Sequence, residues 1–293
     1  MPGWEGKSKG TTLGYRIFVE VLRRFGVRPA YLMLRFVAFY YFLFSARSSK
    51  HIYHYFHHRL GYGRMKSLRF LYRNYYVFGQ TLIDKVILMS GMNHPFSFDF
   101  DGEHYLQTMV KEGKGGMLLS AHVGNWEAAG HLLQRLNTEI HIVIFDGEHE
   151  KIKHYISGVT GEKKVKLIII RDDLSHIYEI MEALQNNGIV CMHADRFMEG
   201  NKVMEMEFMG AVAKFPLGPF LLASKLKVPV SFVFAMKETD LHYHFFASEP
   251  RIYQGTAKSM EQASEVLKDF AKAMEDKARS YPLQWFNYYG FWN

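Results

Sequence analysis

Ser120–Gly130 reads SAHVGNWEAAG and closes a short apolar run, GGMLLSA (Gly115–Ala121). The text that follows, NWEAAGHLLQRL, has helical periodicity, so the stretch reads as a buried strand turning into a helix. It also sets His122 and Glu127 five positions apart. On one helix, residues five apart sit roughly 140° from each other around the axis and cannot meet. They meet only if the backbone bends between them. Gly124 is where that bend is cheap, because it has no Cβ and takes positive φ.

Working outward, strand-like and helix-like segments alternate. IHIVIFD (Ile140–Asp146), VKLIII (Val165–Ile170) and GIVCMHA (Gly188–Ala194) read as strands, as do VPVSFVFAMKE and LHYHFFAS. Between them lie the charged helical stretch GEHEKIKHYI, the helix DLSHIYEIMEALQNN with Gly188 as its C′ residue, and the helix opened by PLGPFLLASKL. KSMEQASEVLKDFAKAMEDKARS forms a long final helix. This alternation predicts an α/β fold: a central, mostly parallel sheet flanked by helices. In open sheets of this kind chemistry collects beyond the carboxyl ends of the strands. One such end carries His122, and another carries HADRFMEG with His193, Asp195 and Arg196. Asp146, Glu148 and His149 form a third polar cluster, placed for acceptor binding rather than catalysis.

The amino-terminal third is different. Residues 1–90 carry a charge balance of +12 and the remainder −5. A basic end on a slightly acidic body suits docking onto an anionic membrane and not general nucleic-acid binding. AYLMLRFVAFYYFLFSA (Ala30–Ala46), flanked by arginines and containing Arg35, is short for a membrane span, which takes about 20 apolar residues. Its tyrosines and phenylalanines suit a helix lying in, or dipping into, the headgroup boundary, with a buried helix of a soluble core as the other reading. His51, His54, His57 and His58 recur at helical spacing. They lack nearby carboxylate or cysteine partners, so an amphipathic interfacial helix accounts for them better than a metal site. The division expected is a basic, aromatic-rich, membrane-associated helical region over 1–95 and an α/β domain over 96–293. Cys191, the one cysteine, excludes an internal disulfide and reads as core.

A histidine held by a carboxylate is a general base near neutral pH. Ser120 shares the strand face of His122, but there is no G-x-S-x-G elbow. Direct attack by a substrate hydroxyl therefore fits better than an acyl-enzyme. No dinucleotide fingerprint, P-loop or clustered metal-ligand pattern is present, so neither metal nor resident cofactor is expected. Arg196 and Arg171 are candidate phosphate or headgroup contacts, since guanidinium forks suit phosphates, and each also reads as an ordinary surface ion-pair residue.

LLSAHVGNWEAAGHLL resembles the His-x4-Asp/Glu motif of the late-acting acyltransferases of lipid A biosynthesis, a branch of the lysophospholipid acyltransferase-like superfamily. HADRFMEG…MEFMGAVAKFPLGPFLLASKLKVPVSFVF is similar to that family's second block. The resemblance implies transfer of a fatty acyl chain from acyl carrier protein or coenzyme A, as co-substrate, to a hydroxyl of a membrane lipid. It implies His122 as general base, Glu127 as its partner, Gly124 and Asn125 shaping the turn and offering polar donors near the thioester oxygen, and Asp195 as the second block's aspartate. It also implies a bacterial inner-membrane location, peripheral or held by a single N-terminal anchor, with the site on the cytoplasmic side. Three departures bear on the acceptor: Asp195-Arg196 where the family commonly has Asp-Gln, FDGEHEKIKHY in place of an Arg-Pro segment, and QWFNYYGFWN without a basic ending. A lipid A precursor is the first expectation, with other membrane lipids, including aryl-polyene-type lipids, as alternatives. A lipid hydrolase using Ser120 and a non-catalytic membrane-docking protein are the rivals from other classes.

Overall fold

Strand β2 (Gly116–Ser120) lies at the centre of a seven-stranded sheet of order β1-β9-β8-β2-β5-β3-β4. The chain is seen in a computed structural model that describes residues 12–89, 94–145, 165–254 and 259–292; the side chains of 12–16, 127, 130–132 and 134 stand outside that description. The neighbours β5 (Ile189–His193), β3 (Ile140–Phe145), β4 (Val165–Ile170) and β8 (Val230–Thr239) form a parallel block with β2. β9 (His242–Ala247) runs antiparallel to β8, and β1 (Ser97–Asp101) pairs with β9. Strands buried on both faces need helical crossovers, and the apolar run of β2 supplies that burial. Met117 and Leu119 face one core, while Leu118, Ser120 and His122 face the other side of the sheet.

Among the described residues, α1 (Thr12–Phe25), α2 (Val27–Phe44), α3 (Ala46–His54) and α4 (Arg64–Met89) precede the sheet. Helix α5 (Glu103–Lys111) joins β1 to β2, and α6 (Trp126–Leu133) follows the His122 turn. α7 (Ser175–Gln185) leads into β5, α8 (Leu217–Leu226) into β8, and α9 (Ser259–Ser280) packs beside α8. Phe270 of α9, Phe56 and Leu71 of the amino-terminal third, and Met117, Val190 and Phe232 of the sheet belong to one core. The helical third is thus built into the same interior as the sheet.

Helix α2 has two faces. Val27, Ala30, Tyr31, Leu34 and Ala38 are buried, while Phe36, Phe39, Tyr40, Leu43 and Phe44 form an exposed ridge at helical spacing. Its 18 residues are long and apolar enough to cross a membrane, and 28% of that window is buried in the protein.

Three local readings change. Asn187, at φ 60°, takes the left-handed position after α7, and Gly188 donates to the Ala183 carbonyl one position later, completing a helix-end motif shifted by one residue. KVMEMEFMGAVAKFP, to which the alternation of strands and helices assigned no element, contains the hairpin β6 (Val203–Phe208) and β7 (Ala211–Pro216), closed at Met209-Gly210 with positive φ at both. The histidine-rich segment ends in a π-helical turn, Tyr55–Arg59. Its apolar residues Ile52, Tyr55 and Phe56 face the protein interior, so core packing and not a membrane interface satisfies them. The stretch GEHEKIKHYI and the cluster Asp146, Glu148 and His149 lie outside the described residues.

Candidate active site

β2 and β5 pair in parallel with Ser120 opposite His193, so the residues two further along each chain, His122 and Asp195, come face to face. His122 Nδ1 donates to Asp195 Oδ1 at 2.8 Å, and the His122 backbone N–H donates to Oδ2 at 3.0 Å. A carboxylate only accepts, so it fixes the Nδ1–H tautomer and leaves Nε2 as the basic nitrogen. The side chain of Asp195 is 2% exposed and that of His122 is 21% exposed. Burial, followed by the positive Arg196, lowers the His122 imidazole below its ordinary value against the pull of Asp195. Burial alone would raise the Asp195 carboxyl, but His122 and Arg196 outweigh it and hold the group well below the usual carboxylate range. At neutral pH the pair is therefore a carboxylate and a neutral imidazole, the state a general base requires.

The turn that delivers His122 is clamped from two sides. Gly124 adopts φ 77°, and a Cβ there would lie 2.1 Å from the Ala235 carbonyl oxygen of β8. No side chain fits that bend. Asn125 N–H donates to Ala235 O at 2.7 Å, Gly124 N–H to Gln284 O at 2.8 Å, and Phe286 N–H to His122 O at 3.2 Å. The carboxy-terminal segment thus forms one wall of the turn. Gln284 also exchanges hydrogen bonds with the backbone of Lys237 in both directions. The Gln-Trp of QWFNYYGFWN was visible in the sequence, but its contact with the turn was not.

His122 opens onto a cavity of about 110 Å³ between this sheet face and α6. Leu118, Ile142, Cys191, Val233, Trp126 and Leu133 are among its walls, which are mostly apolar. Burial pushes the Cys191 thiol up to about 12, so it acts as a wall and not as a nucleophile. His193 also lines the cavity, 4.5 Å from His122 ring to ring and 4.8 Å from Trp126. Burial, then His122, pushes its imidazole down to about 3, which keeps it neutral. Ser120 lies on the same wall.

The other expected site residues fall as follows. Glu127 is in the first turn of α6, and its side chain lies outside the described residues. Asn125 is 2% exposed; its amide donates to Tyr243 Oη at 3.0 Å and its Oδ1 accepts from Ala128 N–H at 3.4 Å. It caps α6 from within the protein instead of facing the cavity. Asp195, expected among substrate contacts, is spent on His122. Arg196 donates to the Phe286 carbonyl at 2.9 Å and lies over the Tyr289 ring. Arg171 follows β4 at the sheet edge, three strands and about 14 Å from β2, paired with Glu179 at 2.6 Å. The structure does not bring it to His122.

Among the described residues, His122, His193 and Asp195 place metal-ligating atoms within 4.8 Å of one another. Both Asp195 oxygens already accept from His122, so an ion there would have to displace those hydrogen bonds.

A mostly parallel α/β sheet with a carboxylate-held histidine at the end of its central strand, opening on an apolar cavity, defines the class. The chain belongs to the bacterial lipid A biosynthesis acyltransferase family, whose pattern it matches over residues 17–289. It is similar to the phosphatidylinositol mannoside acyltransferase of two Mycobacterium tuberculosis strains, at 26% identity over 133 residues. That match covers 42% of this chain and 39% of each relative. The 1-acyl-sn-glycerophosphate (LPA) acyltransferase of Thermotoga maritima aligns in structure over 84% of this chain and 96% of its own, with 15% identity and a TM-score of 0.39.

Proposed function

We propose that the protein is a membrane-associated O-acyltransferase that moves a fatty acyl chain from an acyl thioester, on acyl carrier protein or coenzyme A, to a hydroxyl of a lipid acceptor. The observation that carries this is the His122–Asp195 pair at the mouth of an apolar cavity. The acceptor hydroxyl gives its proton to His122 Nε2 while its oxygen bonds to the thioester carbonyl carbon. The tetrahedral intermediate then expels the thiolate as the C–S bond breaks, and the thiolate takes the proton back from the imidazolium. Asp195 stabilises that imidazolium and keeps the tautomer. The acyl tail occupies the apolar cavity. Glu127, in the first turn of α6, is the second carboxylate of this reading and is assigned to the acceptor hydroxyl. Arg196, next to Asp195 in the chain and close enough for its charge to act on His122, is the headgroup contact in this reading, and Arg171 is not part of the site.

A lipid A precursor is the acceptor favoured by the family match. The similarity to a phosphatidylinositol mannoside acyltransferase supports a second acceptor class, a glycosylated phospholipid. The exposed aromatic ridge of α2 supports attachment to a membrane, peripheral or through that single helix; the inner membrane, with the cavity toward the cytoplasmic side, is what the family resemblance adds to this reading. Lipid mass spectrometry of a strain lacking the protein tests the proposal: one lipid should lose one acyl chain, and purified protein should restore it from an acyl thioester. Release of free fatty acid without an acceptor would instead identify a hydrolase.

A further inference from the structure

A second polar group lies buried on the far side of the catalytic turn. Asp84 of α4 and Lys237 of β8 form an ion pair at 2.6 Å with side chains 0% and 3% exposed. The Lys237 ammonium donates to Asp84 Oδ2, to the Asp240 carbonyl at 2.6 Å and to Tyr31 Oη at 3.0 Å. The Asp84 carboxylate also accepts from the hydroxyls of Tyr31 and Tyr243. The surroundings are otherwise apolar, with Phe96, Leu34 and Ile87 in the same cluster. Replacing such a pair by packed hydrocarbon is often neutral or stabilising, so the pair is a poor source of net stability. What it supplies and hydrocarbon does not is direction. Tyr243 donates its hydroxyl proton to Asp84, which leaves its oxygen to accept from Asn125 Nδ2 at 3.0 Å. Asn125 in turn caps α6, whose first residue, Trp126, lines the cavity against His193.

We propose that Tyr243 is a positioning residue: anchored by the buried Asp84–Lys237 pair, it fixes Asn125 and through it the turn that carries His122 and the first turn of α6. The chain of contacts ties helices α2 and α4 to the catalytic turn without any member reaching the cavity. The inference rests on the acyl-transfer reading for its kinetic consequence, but its geometric consequence is independent of that reading.

The test uses Tyr243→Phe and Asn125→Ala, alone and combined, in the full chain on phospholipid vesicles. Tyr243→Phe keeps the ring and its packing and removes the hydroxyl. The expected result is a kcat lower by about tenfold or more with KM for donor and acceptor within twofold. Combined with Asn125→Ala it should cost no more than Asn125→Ala alone, because both act on one turn. Hydrogen–deuterium exchange should quicken at residues 126–129 and remain unchanged in β2 and β5. Additive losses, a changed KM at unchanged kcat, or unchanged exchange at 126–129 would each overturn the proposal. Should the unsubstituted protein transfer no acyl chain, the proposed function fails, and the exchange measurement still decides the role of Tyr243.

Discussion

Among the described residues, the acid–base pairs His122–Asp195 and Asp84–Lys237 are set to different tasks by their surroundings. His122–Asp195 sits at a strand end with the imidazole 21% exposed at the mouth of a cavity. Asp84–Lys237 is sealed, and every ammonium proton of Lys237 has an acceptor. A histidine paired at its Nδ1 keeps a basic nitrogen on its opposite edge, whereas a lysine has no second site to offer. Burial thus produces a reactive group in one place and a fixed strut in the other. The comparison breaks if either pair behaves as its counterpart.

The largest effect should come from His122→Ala, which is expected to lower acyl transfer by at least about 10³-fold while the circular dichroism spectrum and vesicle binding stay as in the parent. Transfer near the parent rate would end the general-base assignment. Next, Asp84→Asn strands a buried ammonium and should cost about 3–5 kcal/mol in chemical denaturation. Adding Lys237→Met should recover most of that stability; continued loss in the double variant would mean the site needs the charges themselves. Asp195→Asn is expected to reduce kcat by about 10²-fold with a smaller change in stability than Asp84→Asn, because it mainly releases the His122 tautomer.

The smallest effect is that of pH. In the folded chain His122 and His193 have lowered values, His193 down to about 3, so the unfolded chain binds more protons once pH falls below about 6.5. Their stabilising contribution is complete above that value and declines on acidification toward the folded values. Asp195, also lowered, adds its own loss only within and below the carboxylate range. Melting temperature should be flat above about pH 7 and fall below it, with a shallower slope in His193→Gln. The acid limb of kcat/KM should lie below 6.5, and a limb above it would contradict the lowered His122 value.

The site was legible where chemistry follows the chain. The β2 run, Gly124 and the periodicity of α6 are local signals, and together they announced a strand, a bend and a helix. The hairpin at Val203–Pro216 and strand β1 also carried a signal, the alternation in VMEMEF and SFDFD, which their charge obscured. Other parts had no local signature. Asp195 stands 73 positions from His122, and only the register of two parallel strands sets them opposite each other. Tyr31, Asp84, Lys237 and Tyr243 are scattered over two helices and two strands, each resembling an ordinary residue of its element.

By itself the sequence determined the α/β class, the histidine at the central strand end and the glycine that turns the chain there, because apolar periodicity and backbone permissiveness are properties of neighbouring residues. The tertiary structure decided which carboxylate holds that histidine, that Asn125 faces inward, and that Arg171 stands apart. Those outcomes depend on strand order and register, which arise from packing the whole chain around one core.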